Sequence, residues 1–112
     1  MTLINLFNKL SINILNKMKI YISGKVTGLP FDEAFKMFEN AENELKFRGY
    51  EVVNPMKLNH NHNKSWESYM REDLIAMMKC DAIYLLPNYH ESKGALIEKQ
   101  LAEMLKFVVY FG

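Results

Sequence analysis

The sequence has a single cysteine, Cys80, in 112 residues. One cysteine excludes an internal disulfide and a zinc site built from cysteines. An excess of one charge is also missing, because fourteen Lys and Arg side chains against thirteen Asp and Glu give a formal charge of +1. A protein that holds duplex nucleic acid by its phosphates normally carries a basic excess or a basic stripe. We therefore expect no duplex nucleic-acid partner.

Long hydrophobic runs are absent too. No stretch approaches the roughly 18 consecutive apolar residues that a membrane-spanning helix needs. Residues 1–17 contain many apolar side chains, but they lack the basic start, the continuous apolar block and the small-residue cleavage site of a signal peptide. We therefore expect no membrane partner. Because nothing indicates secretion, we expect a cytoplasmic protein.

What is present has the composition and length of one folded domain. Hydrophobic residues make up 49% of the chain and charged residues 24%, the balance of a globular protein. The regular pattern begins at Met18, so we predict a domain over residues 18–112 and an N-terminal extension over residues 1–17. The extension is either an amphipathic helix or an upstream in-frame segment, with the natural start at Met18.

Short β-branched and aromatic runs alternate with segments in which apolar residues recur every three or four positions. This alternation predicts parallel strands joined by helices, and the nearly continuous apolar strands indicate burial on both faces. Right-handed crossovers then give an α/β three-layer sandwich of flavodoxin-like or Rossmann-like type, with a four- to five-stranded parallel sheet in the order 2-1-3-4. The predicted strands are 19–23, 50–53, 81–86 and 107–111, and the predicted helices are 31–48, 65–79 and 94–106.

In such a sheet the ligand lies at the carboxyl ends of the strands, where the strand order reverses. Three predicted loops meet there, over residues 24–31, 54–64 and 87–93. These loops carry all three histidines and most of the asparagines of the domain, together with Gly24, Gly28 and Ser92, and Asn54 directly follows the second strand. We therefore expect the ligand site between them, with Asn54 as one of its polar contacts.

Two carboxylates occupy helical positions where apolar side chains are expected. Glu98 follows Ala95 by three residues and precedes Ala102 by four, so it lies on the inward stripe of the third helix. Asp73 has the same relation to Met70 and Met77 in the second helix. Because a carboxylate is rarely buried without a partner, each either accepts backbone N–H bonds from a neighbouring loop or serves a site.

Two inward carboxylates beside one crevice favour the functional interpretation. Glycosidic chemistry requires such a pair: one carboxylate attacks or stabilises the anomeric carbon, where positive charge develops. The other donates or accepts a proton at the leaving group. The pair predicts that Glu98 and Asp73 act on a glycosidic bond.

The loop after the first strand and the start of the third helix both suit an anionic group of a ligand. Gly24 and Gly28 let the backbone approach a ligand closely, and the Lys25 and Thr27 side chains between them can contact phosphate oxygens. The turn lacks the spacing of a Walker loop.

Ser92 and Gly94 open the third helix, whose free N–H groups favour an anion. Ser92 is also an ordinary N-cap residue, which does not exclude ligand contact. Both residues are therefore predicted to bind substrate.

These residues also carry a resemblance to a known family. The segment Tyr21-Ile22-Ser23-Gly24, Asp73, Asp81, and the run from Ser92 to Glu98 together resemble the nucleoside 2-deoxyribosyltransferase-like superfamily. The resemblance covers the chain from Met18 to its end. It is strongest to a branch of small bacterial and phage proteins similar to the deoxynucleoside 5'-monophosphate N-hydrolases.

The resemblance implies a role for each matching position. It implies that Glu98 is the nucleophile, that Asp73 contacts the sugar or assists proton transfer at the base, and that the Tyr21 hydroxyl orients the glutamate. Ser23, within the matching segment, is expected to contact substrate. Ser92 stands where the transferases carry an acid and the N-hydrolases a phosphate-binding serine, which indicates a 5'-phosphate because an acid there would repel an anion.

The sequence departs from the family pattern in two places. Lys99 and Gln100 follow the glutamate, where a glycine or another small residue is usual, and the phosphate loop has Lys25 in place of an arginine. These departures bear on turnover more than on binding.

We therefore expect an N-glycosidic hydrolase or deoxyribosyltransferase for a (deoxy)nucleoside or its 5'-monophosphate. The alternatives are a non-catalytic nucleotide-binding module of the same fold and an interaction protein with a vestigial crevice. No metal or cofactor is required. Related domains often assemble as dimers, so we expect a homodimer or a higher homo-oligomer.

Four further side chains have two interpretations each. His60 and His62 would share a metal if they lay on a strand, but surface histidines in a polar loop are the simpler interpretation. Trp66 and Tyr69 are expected in the core, although an aromatic that faced the site would stack on a base.

Overall fold

Strand β1 (Lys19–Ser23) lies inside a four-stranded parallel sheet, flanked by β2 (Glu51–Val53) and β3 (Ala82–Leu85), with β4 (Val108–Phe111) at the far edge. The computed structural model describes residues 2–3, 18–60 and 65–112. The order β2-β1-β3-β4 confirms the predicted order, and every neighbouring pair is parallel. The helices are α1 (Phe31–Phe47), α2 (Trp66–Met78) and α3 (Lys93–Met104), and short 3₁₀ turns cover Pro55–Lys57 and Tyr89–Glu91.

The alternation of side chains along β1 divides the core into two clusters on opposite faces of the sheet. Ile20 and Ile22 pack with Phe38 of α1 on one face. Tyr21 packs on the other face with Met77 of α2 and other residues of the second cluster. Because successive side chains of a strand point to opposite faces, Ser23 shares the face of Tyr21. The sandwich thus has α1 on one side and α2 and α3 on the other.

The helix ends follow local rules. The Ser65 and Ser92 hydroxyls cap α2 and α3 by accepting the backbone N–H of Ser68 and Ala95, both at 3.1 Å. Gly49 follows α1 with a φ of 96°, the left-handed conformation that commonly ends a helix. Helix α3 ends two residues earlier than its apolar pattern predicts, because Lys106 takes a φ of 64°.

Asp81 lies just before β3, and its carboxylate accepts the backbone N–H of Lys19 at 3.1 Å, which ties the start of β1 to this turn. The predicted extension over residues 1–17 lies, apart from residues 2–3, outside the described part of the chain. Within residues 2–3, 18–60 and 65–112, no helix combines the length and the apolar character needed to cross a membrane.

Candidate active site

A cavity of about 510 Å³ opens where the chain leaves β1, β2 and β3. Such a volume falls within the range of sites that hold small ligands. Its walls are formed by the end of β1 and the loop after it, by Phe31 and Phe38 of α1, by the segment after β2, by one face of α2 and by the first two turns of α3. The predicted site residues that line it are Tyr21, Gly24, Thr27, Asp73, Ser92, Gly94 and Glu98.

Glu98 is the most deeply buried carboxylate that lines this cavity, with only 5% of the residue exposed. Both of its carboxylate oxygens accept hydrogen bonds from β1. Tyr21 Oη donates to Oε2 at 2.5 Å, and Ser23 Oγ donates to Oε1 at 2.7 Å. The arrangement arises because Tyr21 and Ser23 are two residues apart on one strand face and α3 packs its inward stripe against that face.

Burial dominates the electrostatics of Glu98. It raises the pKa of this carboxyl to about 7. The hydrogen bonds from Tyr21 and Ser23 lower the pKa and so oppose burial, whereas the negative charge of Asp73 raises it further. Burial, followed by the negative charge of Glu98, also raises the pKa of Tyr21 well above its usual value. The phenol therefore stays protonated and remains a donor to the carboxylate.

Asp73 lines the same cavity from α2 and contacts a histidine. Its Oδ1 lies 2.6 Å from His60 Nε2, and the two side chains are 19% and 16% exposed. The ring of His60 also packs against Tyr69, with ring centroids 4.9 Å apart. The interpretation of His60 as a surface histidine is therefore wrong, because this contact turns the ring into the cavity wall. His62 lies outside the described residues.

Aromatic side chains form the rim of the cavity. Trp66 and Tyr69 of α2 line it, and Tyr69 is 40% exposed, so the expectation that these two residues belong to the core is wrong. They lie at the open end of α2, beyond the part of the helix that packs on the sheet. Phe31, at the start of α1, also lines the cavity, and Lys93 Nζ lies 4.4 Å above the Trp66 ring.

The loop after β1 contributes unevenly. Gly24 and Thr27 line the cavity, whereas Lys25 and Gly28, which were also predicted to contact substrate, are not among its lining residues. Lys25 donates its backbone N–H to Asn88 Oδ1 at 3.0 Å, which joins this loop to the one after β3. A Cβ at position 24 would lie 2.6 Å from the Leu86 side chain, so the packing there requires glycine.

Two other residues that were predicted to contact substrate do not line the cavity, and their side chains bind other residues of the protein. Ser23 is fully buried, and its hydroxyl donates a hydrogen bond to the Glu98 carboxylate from the sheet side. Asn54 is buried as well: its Nδ2 donates to Glu42 Oε1 at 3.1 Å, and its Oδ1 accepts the Met56 backbone N–H at 3.0 Å. The strand pattern contained the signal for Ser23, since a residue two positions from Tyr21 shares its face.

The start of α3 presents both a hydroxyl and backbone N–H groups to the cavity. Ser92 and Gly94 line it, and the Ser92 hydroxyl accepts one N–H bond as the N-cap while retaining its own proton to donate. A Cβ at position 94 would lie 2.9 Å from Met70 Sδ, so glycine permits the close packing of α3 on α2.

Metal chemistry has no obvious ligand set in the part of the chain that the structure describes. No group of three or more His, Cys, Asp and Glu side chains there has the arrangement of a metal site. His60 and Asp73 supply two such side chains in contact. Among the described residues, the cavity thus offers acid–base and nucleophilic groups.

Comparison with known proteins adds a family and a fold. Residues 18–111 match the family DUF4406, described as a domain of unknown function. No curated protein matches the sequence. A solved structure of a 2-deoxyribosyltransferase from the psychrotolerant bacterium Bacillus psychrosaccharolyticus is similar, with a TM-score of 0.65 and 23% identity, over 83% of this chain and 70% of that chain. The chain thus has the nucleoside 2-deoxyribosyltransferase-like fold that its sequence predicts.

Proposed function

The chain belongs to the DUF4406 family, and from the chemistry of its cavity we propose that it cleaves the N-glycosidic bond of a (deoxy)nucleoside or its 5'-monophosphate. Glu98 is the nucleophile. The observation that carries the proposal is the placement of this one carboxyl, 5% exposed at a ligand-sized cavity and held by two hydroxyl donors.

The position of Glu98 suits attack on an anomeric carbon. Burial removes water from the carboxylate, which makes it a stronger nucleophile, and the hydroxyls of Tyr21 and Ser23 fix its orientation. Each carboxylate oxygen accepts one hydrogen bond in the structure and retains a lone pair for the sugar. A pKa of about 7 keeps a substantial fraction of Glu98 ionised at neutral pH.

The reaction proceeds in two steps. First, a Glu98 oxygen forms a bond to the anomeric carbon as the bond to the base nitrogen breaks, and the electron pair leaves with the base. A water molecule or a second base then attacks the same carbon and releases Glu98 as a carboxylate. Water gives hydrolysis and a base gives transfer. Asp73 stands at the same cavity to position the sugar or to serve the departing base.

A phosphate at the 5' position fits the start of α3. Ser92 retains a hydroxyl proton to donate, and the helix N-terminus carries partial positive charge. Thr27 belongs to the loop after β1 and lines the same cavity. The cavity residues thus provide a nucleophile, a second carboxylate and an anion-binding site at the start of α3. The aromatic side chains at the rim provide faces on which a base can stack.

The fold supports the same class of chemistry. The similar solved structure is a 2-deoxyribosyltransferase. We extend that activity class to this chain on the strength of the cavity residues, and we propose a small-molecule nucleoside or nucleotide as the substrate.

The direct test is chromatographic measurement of free base from a panel of deoxynucleosides and deoxynucleoside 5'-monophosphates, with and without a second base. We expect base release from at least one member of the panel. A new nucleoside in the presence of the second base identifies transfer, and free sugar or sugar phosphate identifies hydrolysis. Saturable nucleotide binding without any base release would overturn the proposal in favour of a binding module.

A further inference from the structure

The contact between His60 and Asp73 brings together residues from different parts of the cavity wall. His60 follows the turn after β2, and Asp73 lies in the middle of α2. The 2.6 Å separation of Nε2 and Oδ1 is that of a strong hydrogen bond. Tyr69, which lies on the same helix as Asp73, packs its ring on the His60 imidazole. The orientation of His60 is therefore set by two contacts.

This pair and Glu98 line one cavity. Asp73 is near enough to the nucleophile for its charge to contribute to the raised pKa values of both Glu98 and Tyr21. A carboxylate and an imidazole in contact can hold a proton between them, whereas a carboxylate alone at neutral pH normally has none. The cavity thus contains a nucleophile and, separately, a pair able to hold a proton.

Cleavage of the bond between sugar and base calls for such a proton. As the bond breaks, its electron pair moves onto the base, and a neutral base leaves far more readily than an anion. A proton donor must therefore be within reach of the base. Tyr21 does not suit this task, because its proton is committed to Glu98 at 2.5 Å.

We propose that His60 supplies, through Asp73, the proton that the departing base takes up; this inference rests on the function proposed above. As the bond between the anomeric carbon and the base breaks, the proton on His60 Nε2 passes to Asp73 Oδ1, and Asp73 gives that proton on to the base. The pair is left as a neutral imidazole and a carboxylate, and the base leaves as a neutral molecule. Glu98 gains the sugar at the same time. In the second step the attacking water or acceptor base returns one proton to the pair.

The test uses two leaving groups that differ in their need for a proton. One substrate carries a natural base. The other carries 4-nitrophenolate on the same sugar, or sugar 5'-phosphate, and this group leaves as an anion. Rapid-quench measurement of the first turnover isolates the cleavage step from the release of the sugar.

The informative variant is His60→Gln, since the glutamine amide can still donate a hydrogen bond to Asp73 but cannot supply a proton. The matched control is His90→Gln, because His90 lies in the 3₁₀ turn Tyr89–Glu91 and packs on Tyr89, outside the cavity lining. We expect His60→Gln to release the natural base about 100-fold more slowly than the unmodified protein. We expect it to release 4-nitrophenolate at the unmodified rate.

Added imidazole gives a second readout. In His60→Ala it is expected to restore part of the lost rate with the natural base and to leave 4-nitrophenolate release unchanged. If His60 only held Asp73 in place, His60→Gln would keep full activity on the natural base, and that result overturns the inference. An equal loss on both substrates overturns it too.

The outcomes also separate this inference from the proposed function. If His60→Gln behaves like the unmodified protein while Glu98→Gln is inactive, the inference about His60 fails and the proposed function stands. If Glu98→Gln remains fully active, the nucleophile and the proposed function fail, whatever His60 does.

Discussion

Tyr21 and Glu98 are 77 positions apart in the sequence, and Tyr21 Oη lies 2.5 Å from Glu98 Oε2 in the fold. The contact joins the central strand β1 to α3, and both side chains are buried. It aligns the carboxyl and opposes the effect of burial on the pKa of Glu98. This single contact therefore links the packing of the sheet to the ionisation of the proposed nucleophile.

Removal of the Tyr21 hydroxyl should shift the pH dependence of activity. Attack requires ionised Glu98, so kcat/KM is expected to rise with pH through about 7. Because the Tyr21 hydrogen bond lowers the pKa of Glu98, Tyr21→Phe should raise that pKa and move the rise to higher pH. The measurement is the pH profile of kcat/KM for base release.

Tyr84→Phe is the matched control for this experiment. It removes a hydroxyl from β3 on the opposite sheet face, where Tyr84 packs beside the cluster of α1. Its profile should coincide with that of the unmodified protein. A 5'-phosphate of the substrate also titrates near pH 6, but equally for all variants. An unchanged midpoint in Tyr21→Phe would show that this hydroxyl does not tune Glu98.

Replacement of the buried carboxyl should stabilise the protein at alkaline pH. The pKa of Glu98 is raised from 4.5 to about 7 on folding. The stability that its protonated form contributes is complete below pH 4.5 and is lost as the pH rises through about 7. Glu98→Gln cannot ionise, so at pH 8 its free energy of unfolding should exceed that of the unmodified protein by up to ~3 kcal/mol.

The measurement is urea unfolding at pH 5 and pH 8, with Glu103→Gln as the control. Glu103 lies on the exposed side of α3 and pairs with Lys99. Its replacement should change the free energy of unfolding little at either pH. A difference between Glu98→Gln and the unmodified protein that does not grow from pH 5 to pH 8 would refute the raised pKa.

A negative charge at position 92 should discriminate against a 5'-phosphate. Aspartate is as good an N-cap as serine, so Ser92→Asp keeps the start of α3 while it adds a carboxylate to the cavity wall. Repulsion should lower kcat/KM for a 5'-monophosphate relative to the nucleoside by at least about tenfold. Ser92→Asn, a neutral cap, should leave the ratio near its original value. Equal ratios in both variants would exclude a phosphate at this helix end.

Glu42 should stabilise the turn that forms one wall of the cavity. It is buried in α1 and accepts Lys46 Nζ at 2.6 Å, Lys57 Nζ at 2.9 Å and Asn54 Nδ2 at 3.1 Å. Burial alone would raise its pKa, but these three bonds lower it from 4.5 to about 2. Its stabilisation is therefore present above pH 4.5 and is lost as the pH falls through about 2.

We expect Glu42→Gln to lower the free energy of unfolding at pH 7 by about 1–2 kcal/mol, since both lysines reach into water and are partly screened. The loss should shrink toward pH 2. Glu44→Gln, which removes an exposed partner of Arg48, should cost far less. Equal costs for the two variants in urea unfolding at pH 7 would show that the Glu42 cluster does not hold the turn.

The sequence predicts the fold well because local signals and sheet topology agree. The β1 bounds match the prediction, and the other elements differ from it by at most two residues at each end. For α3 the difference arises at Lys106, whose left-handed backbone no apolar pattern indicates. Helical spacing also predicts that Asp73 and Glu98 point inward, where both line the cavity.

Residues whose positions depend on tertiary contacts were harder to predict. His60 lies in a polar run typical of a surface loop, and only the fold brings it to Asp73. Asn54 belongs to the predicted ligand loops, yet its amide binds Glu42 of α1, a partner that no local pattern reveals. Ser23 could have been placed beneath Glu98 from the two-residue period of β1.

The most direct test of the central claim is the rate of base release by Glu98→Gln, compared with Glu103→Gln and the unmodified protein on the best substrate of the panel. The account predicts that Glu103→Gln keeps the full rate. It predicts that Glu98→Gln is slower by at least about 1,000-fold, because an amide cannot form the bond to the sugar. Base release by Glu98→Gln at the unmodified rate would contradict the account.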